Sequence, residues 1–508
     1  MRDVIYVNNG KLEKPSTSQS YMERRELFYG NDDFYEEEIA ICVVAYNRLE
    51  KTKLCIESIL KYTSGHDYRL ILVDSGSYDG TIEYFSSIHY ERKSVYRLEK
   101  NLGANYAMHI IQRDLRAKYL AVVANDCIVT KNWLDNLLRC MKSDSHIGMV
   151  SPVLSNVSNF QEVDIGEYHT LEEMQELAAA FNVSDPMKWE ERPRLISVCL
   201  LIRTEVFDSI GHYFDLAFFH DFSEDDLAVR MRRAGYSIWL CRDTYVAHNH
   251  PIEERDKKAL EASTKAGLSA FYERYGLYAI EDMNFLITDY IEEIDLDKDR
   301  EDKVKVLGLD VRSGSPFLYV KNRLRRDGYS TFELYAYTTE LKYYADLLGY
   351  VQNRKRVFHG NGKALLYEIR QNYFDVVIEG KDINGFDTNN LSVENVFSFV
   401  AEGGYLLLPI YNVTNIYHYL RMMGEMEQLS EHAYGIDMGE ILAKLHDSGA
   451  SHVWIEEERY TDAMLEELSK EHGQAVSRLF EQMAKKQEIL SGMLVCRYWI
   501  LVRKGQKV

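Results

Sequence analysis

Val73-Asp74-Ser75-Gly76-Ser77-Tyr78-Asp79-Gly80-Thr81 is the stretch on which the fold turns. It closes an apolar run, Arg69 to Val73, with a carboxylate and small residues, and leads into a helix-like segment, Thr81 to Ser87. The glycines permit a tight turn, and Ser77 or Asp79 can cap the helix that follows. The same pattern recurs on both sides. Ile39 to Ala45 is an apolar run followed by a helix-like Glu50 to Tyr62, and Tyr119 to Ala124 is another, preceded by a helix-like Asn105 to Leu115. Short apolar strands alternating with helices predict an α/β fold, with a parallel sheet covered on both faces.

In such a sheet, ligands bind beyond the carboxyl ends of the strands. The first run ends in Val44-Ala45-Tyr46-Asn47-Arg48, the second in Asp74, the third in Asn125-Asp126-Cys127. Asp74 can accept hydrogen bonds from a base or ribose, with Ala45 and Asn47 lining the same pocket. Asp126 suits a divalent cation that carries a diphosphate, because hard cations take oxygen ligands. Further on, Ser223-Glu224-Asp225-Asp226 opens an amphipathic helix that Gly235 closes. Acids at the start and arginines at the end complement the helix dipole. That accounts for one or two of the acids; a third is surplus, and a crowded carboxylate can take a proton from a hydroxyl. A strand-like segment, Ser237 to Leu240, then leads to His248 and His250, either of which can face the cleft as an imidazole ligand.

The 508 residues imply two or more domains. With 80 acidic against 60 basic residues the net charge is -20, which argues against a nucleic-acid partner. The seven cysteines form no CxxC pair and sit largely in apolar runs. They read as buried thiols, as in a reducing cytoplasm. No signal-peptide core and no run of 18 apolar residues occurs, so the expectation is a cytoplasmic protein with no transmembrane segment.

The order of these elements resembles glycosyltransferase family 2 and its GT-A fold over residues 39–255. Ala45-Tyr46-Asn47-Arg48, the Asp74–Thr81 stretch, Asn101-Leu102-Gly103, Asn125-Asp126 followed by Asn132-Trp133-Leu134, Cys199 to Phe207, the acidic helix and His248 carry the resemblance. It implies an inverting, metal-dependent transfer of sugar from a nucleoside-diphosphate donor (a UDP-, dTDP- or GDP-sugar) to a glycan or protein acceptor. Ala45, Asn47, Asp74, Asn101 and Asn125 would then bind the nucleotide-sugar, and Asp126 and His248 would hold Mn2+ or Mg2+. Ala124 stands where the family usually has the first acid of its metal motif, which leaves Asp126 as the direct ligand. Counting back from Arg230 puts the catalytic base at Glu224; matching the Glu-Asp pair puts it at Asp225, the preferred choice.

The charge-dense Ile291 to Asp302 marks a boundary. The expected division is an N-terminal extension (1–38), the GT-A domain (39–255), a helical and charged linker (256–302) and a second domain (303–508). Strands are expected at Val304 to Leu309, Thr331 to Tyr337, Asp375 to Glu379, Tyr405 to Pro409, Val453 to Glu456 and Leu494 to Val502. This second half resembles the Rossmann-like methyltransferases through Phe374 to Gly380, Glu402 to Leu408 and a closing antiparallel Cys496 to Arg503. Its cofactor loop, Gly308 to Ser315, has only Gly314 in place, so S-adenosylmethionine is not expected as a cofactor and a recognition or dimerisation role is. A homo-oligomer is therefore among the expected assemblies. A bifunctional glycosyltransferase/methyltransferase and a non-catalytic carbohydrate-binding scaffold are the alternatives.

Overall fold

The computed structural model describes residues 4–7, 21–28, 34–111, 115–211, 218, 221–249, 257–285, 289–384, 391–422, 437–483 and 486–505. His250 and the beginning of the amphipathic stretch after it lie outside these residues, as do 112–114 at the end of the third expected helix. The chain divides into two compact units, Met1–Met283 and Asn284–Val508.

The first unit is built on a mixed ten-stranded sheet. Its strands are β1 (Val4–Val7), β2 (Glu37–Ala45), β3 (Tyr68–Asp74), β4 (Lys93–Leu98), β5 (Ala117–Ala124), β6 (Cys127–Ile128), β7 (Ile147–Leu154), β8 (Trp189–Glu191), β9 (Cys199–Arg203) and β10 (Ser237–His248). They lie in the order β1-β4-β3-β2-β5-β9-β7-β10-β6, with β8 also on β10. From β1 to β5 every pairing is parallel; β9 runs antiparallel to both β5 and β7. The central strand shows why the sequence reads as an unbroken apolar run. Ile39, Ile41, Val43 and Ala45 belong to one core cluster with Cys55, Ile56 and Ile59 of the helix Leu49–Tyr62. Ala40 and Cys42, whose side chains alternate to the opposite face, are equally buried. Trp133 anchors the helix Trp133–Ser143 in the same cluster, its indole N–H donating to Thr63 Oγ1 at 3.1 Å.

Two features exceed the sequence reading. β4 mixes half-buried Lys93, Ser94 and Arg97 with buried Val95, Tyr96 and Leu98, a weaker signal than its neighbours. β10 runs twelve residues, well past Leu240, through Arg242, Asp243 and Thr244. Asp243 is fully buried, and its Oδ2 accepts both the Asp185 amide and the Trp189 indole N–H at 2.8 Å. A strap from residues 185–189 therefore satisfies the charge that hides the strand.

The second unit holds a seven-stranded sheet: β11 (Val304–Leu309), β12 (Phe332–Thr338), β13 (Val357–His359), β14 (Phe374–Glu379), β15 (Val400–Tyr411), β16 (Ala450–Arg459) and β17 (Val495–Lys504). The order is β13-β12-β11-β14-β15-β17-β16. The first five strands are parallel, and β17 runs antiparallel to β15 and β16. Among the described residues no helix is long and apolar enough to cross a membrane. All seven cysteines are free and six are buried. Burial pushes the Cys42 and Cys199 thiols up to about 12, which makes them poor nucleophiles.

Candidate active site

The carboxyl ends of β2 and β3 form one stitched wall. After β2 the chain turns through two left-handed residues, Asn47 (φ 55) and Arg48 (φ 60). The Asn47 amide donates to Ser77 Oγ at 2.8 Å, and its side-chain oxygen accepts the Tyr78 amide at 3.1 Å. Asp79 joins two helix starts: Oδ2 accepts the Leu49 amide at 2.9 Å, and Oδ1 accepts the Thr81 hydroxyl at 2.6 Å. Burial opposes its charge, but these hydrogen bonds outweigh it and hold the carboxyl below its ordinary pKa. Gly76 is required here. Its φ is +83, and a Cβ would sit 2.7 Å from the Lys100 Cα. That close approach brings in Asn101, whose Oδ1 accepts the Ser75 hydroxyl at 3.2 Å and the Gly103 amide at 2.9 Å.

Asp74 belongs to this wall in a different way from the one expected. Its side chain is fully buried, with Oδ1 accepting the Ser77 amide at 2.9 Å and Oδ2 paired with Arg97. Arg97 also donates to the Ser77 carbonyl at 2.7 Å. The carboxylate is sealed because the parallel neighbour β4 places an arginine opposite it. Asp74 thus shapes the loop from beneath. Asn125 is engaged likewise: its amide donates to Thr52 Oγ1 at 2.9 Å and approaches the Asn47 carbonyl at 3.5 Å. Ala45 accepts the Ser75 amide at 2.8 Å. Two exposed tyrosines, Tyr46 and Tyr78, meet edge to face above the wall, ring centres 6.4 Å apart.

The two residues expected to hold a metal are brought together. β6 pairs with the end of β10, setting Cys127 opposite His248, and the Asn249 amide donates to the Asp126 carbonyl at 2.9 Å. His248 Nε2 then lies 3.5 Å from Asp126 Oδ1. On the far side of the ring, Nδ1 faces the Asn156 carbonyl at 3.1 Å. A carbonyl can only accept, so Nδ1 carries a proton and Nε2 is the ring atom that faces the carboxylate. A proton or a cation between Nε2 and the carboxylate satisfies both. Two ligands bound to one cation at about 2.1 Å, subtending about 90 to 110°, lie about 3.0 to 3.4 Å apart. At 3.5 Å the pair lies just beyond that span, and the carbonyl behind the imidazole is the support a metal-bound histidine takes. Arg48 Nη1 approaches Asp126 Oδ2 at 3.3 Å. Among the described residues no group of three or more His, Cys, Asp or Glu converges. A cation here would have two protein ligands and fill its remaining positions from the donor, as Mg2+ sites commonly do.

The acidic trio separates into unlike residues. The helix Ser223–Arg233 begins after Phe222, at φ 68. Asp226 is fully buried and accepts Arg230 Nε at 2.8 Å, Arg274 Nη1 at 2.7 Å and the Tyr275 hydroxyl at 2.6 Å. The last two come from the helix Lys257–Tyr275. Asp225 is 1% exposed and forms a two-pronged pair with Arg194, Nη2 to Oδ2 at 3.0 Å and Nε to Oδ1. Burial works against the Arg194 charge, but Asp225 outweighs it and holds the guanidinium above its ordinary pKa. Glu224 is half-buried; the Ser223 hydroxyl lies 3.4 Å from its Oε2. Of the three acids, Glu224 alone keeps exposed surface. Arg97, Arg194, Arg274 and Tyr275 were invisible as partners in the sequence, since each meets its carboxylate from another element. A cavity of about 410 Å3, lined by Asn132, Asp135, Asn136, Arg139, Asn182, Val183 and Ser184, includes none of these site residues.

The family described as glycosyl transferase family 2 matches residues 40–211. That stretch holds the stitched wall and Asp126, and ends before the acidic helix and His248. Over 215 residues the chain is 23% identical to the uncharacterized protein y4gI of Sinorhizobium fredii (strain NBRC 101917 / NGR234), covering 40% of this chain and 23% of the relative. The chain thus spans under a quarter of that relative's length. Similar solved structures include GalNAc-T7 with UDP, GalNAc and Mn2+ (14% identity, TM-score 0.35, 43% of this chain and 44% of that one). Another is the mannosyltransferase PcManGT from Pyrobaculum calidifontis in complex with GDP-Man and Mn2+ (15% identity, TM-score 0.34, 50% and 72%). Residues 40–211 of this chain form a glycosyl transferase family 2 domain.

Proposed function

We propose that the stretch 39–255 transfers a sugar from a nucleoside-diphosphate donor to a hydroxyl of a glycan or protein, with inversion at the anomeric carbon. The observation that carries this reading is the Asp126–His248 pair, set 3.5 Å apart where Asp126 of the matched stretch 40–211 meets the end of β10. Asp126 and His248 are the residues to hold Mn2+ or Mg2+, which when bound would offset charge on the departing nucleotide. Ala45, Asn47, Asn101 and Asn125 order the nucleotide-side wall, and Asp74 acts on the donor through Ser77 and Arg97.

Glu224 is the base in this reading, in preference to Asp225. A base must reach the acceptor hydroxyl, and Asp225 has both oxygens on Arg194 in a buried pair. Glu224 removes the hydroxyl proton as the oxygen attacks the anomeric carbon. The bond to the nucleoside diphosphate breaks on the opposite face and its electrons leave with the diphosphate oxygen. Asp225 and Asp226 hold the first helical turn so that Glu224 faces outward.

The test is turnover of the full chain with UDP-, GDP- and dTDP-sugars, with and without Mn2+, with the product's anomeric configuration read by NMR. Metal-dependent turnover of at least one donor with inversion is expected. Undiminished turnover in excess EDTA, or retention, defeats the proposal.

A further inference from the structure

In the second unit the parallel strands reverse their order between β11 and β14. That is where an open α/β sheet places a nucleotide or cofactor, beyond the carboxyl ends of its strands. The methyltransferase resemblance puts S-adenosylmethionine in that crevice, and its fit can be tested on the residues present. A turn that lets the backbone approach such a cofactor needs glycines. The turn after β11 keeps left-handed backbone at Asp310 (φ 49) and Arg312 (φ 48), but both positions carry side chains.

The side chains close the space. The Arg312 guanidinium lies 4.3 Å over the Phe285 ring. The Phe285 carbonyl accepts the Ser315 hydroxyl at 2.8 Å, which ties it to the first residue of the helix Ser315–Arg326. From β14, the Gly380 amide donates to the Leu309 carbonyl at 2.8 Å. A Cβ on Gly380 would lie 2.2 Å from the Asp310 carbonyl oxygen and 3.1 Å from the Phe285 ring. The two strand ends are in contact, and Phe285 sits against both. Asp310 Oδ1 is turned to Thr339, accepting its amide at 2.6 Å and its hydroxyl at 2.8 Å. Among the described residues the other carboxyl oxygen and Ser313 Oγ have no hydrogen-bond partner, yet Asp310 is 4% and Ser313 0% exposed. The polar atoms a ligand would meet are sealed in.

We infer that Phe285 is the resident occupant of this crevice, so that the second unit closes its own cofactor site with the residue that leads into it and does not take up S-adenosylmethionine. Burial also pushes the Asp310 carboxyl up, as expected for a group shut away from water.

Two measurements on the full chain test this. In equilibrium dialysis with labelled S-adenosylmethionine, binding weaker than about 1 mM is expected; saturable binding at micromolar concentration overturns the inference. In hydrogen exchange followed by mass spectrometry, Phe285→Ala should speed exchange of amides 309–315 and 380–381 on the order of tenfold, with β17 unchanged. Phe285→Leu keeps an apolar wedge, should fall between, and supplies the local reading if the alanine variant unfolds the unit. Unchanged protection of 309–315 in both variants overturns the inference.

Discussion

Replacing Glu224 by glutamine and Asp225 by asparagine, separately, places the two neighbouring acids on different axes. Asp225 is 1% exposed and Arg194 8%. Removing the charge of one takes from the other its main counter-charge in a dry site. Breaking a buried pair this way costs about 3–5 kcal/mol. For a unit of this size each kcal/mol moves Tm by about 2–4 °C, so Asp225→Asn should melt roughly 6–20 °C lower. Glu224 is half-buried, where water can solvate a glutamine in its place, so Glu224→Gln should melt within about 1–2 °C of the parent. Its loss should appear in turnover, with kcat down on the order of 10²-fold or more at near-normal donor affinity. Differential scanning fluorimetry and a coupled assay for released nucleoside diphosphate supply both axes. Asp225→Asn with parental stability and abolished turnover, beside an active Glu224→Gln, would refute the reasoning and make Asp225 the base.

Three further outcomes follow from the geometry. His248→Ala should raise the Mn2+ concentration for half-maximal activity at least about tenfold; an unchanged Mn2+ titration by EPR would remove the imidazole from the site. Asp74→Ala should raise the donor KM by about tenfold or more at nearly constant kcat, since Asp74 supports the loop and not the chemistry; a loss confined to kcat contradicts this. Glu37 is 8% exposed and accepts Arg69 Nε at 2.8 and 2.9 Å, with Arg92 at 3.3 Å. Burial alone would raise its pKa; the two arginines outweigh that and lower it below 4.5. A lowered folded pKa contributes stability above the unfolded value and loses it as pH falls through the folded value. The Tm gap between parent and Glu37→Gln should thus be full at neutral pH and close below about pH 4. Its size should be on the order of 1 kcal/mol, because the Arg69 side chain is 38% exposed and solvent screens the pair.

The strands buried on both faces were legible because an apolar run admits little else: Ile39 to Ala45 and Val304 to Leu309 need no partner to be recognised. β4 was not, since its alternation is broken by Lys93, Ser94 and Arg97. Arg97 looks like surface in the sequence and is the counter-charge of Asp74 in the fold. Asp126 and His248 were nameable because strand ends carry function, although their meeting depends on two residues of β6 pairing with β10. The identity of the base was not legible. Glu224, Asp225 and Asp226 are adjacent in sequence, and what distinguishes them is Arg194, Arg274 and Tyr275, which lie 31 and more positions away. Short-range pattern reports which elements exist; burial of a charge is decided by long-range partners.

The stitching of Asn47, Ser77 and Asp79 across two loops bears on how a donor would arrive. Each loop alone would sample many conformations, and ordering a residue costs about 1–2 kcal/mol. Here the Asn47 amide is already on Ser77 and the Leu49 amide already on Asp79. The ordering cost is incurred when the chain folds, and association then proceeds against a rigid surface. Donor binding on this side should show a single kinetic phase whose rate rises linearly with concentration, with no slow isomerisation after it. Calorimetry should return a heat capacity change accounted for by the apolar area the nucleotide covers, with no added share from loop folding.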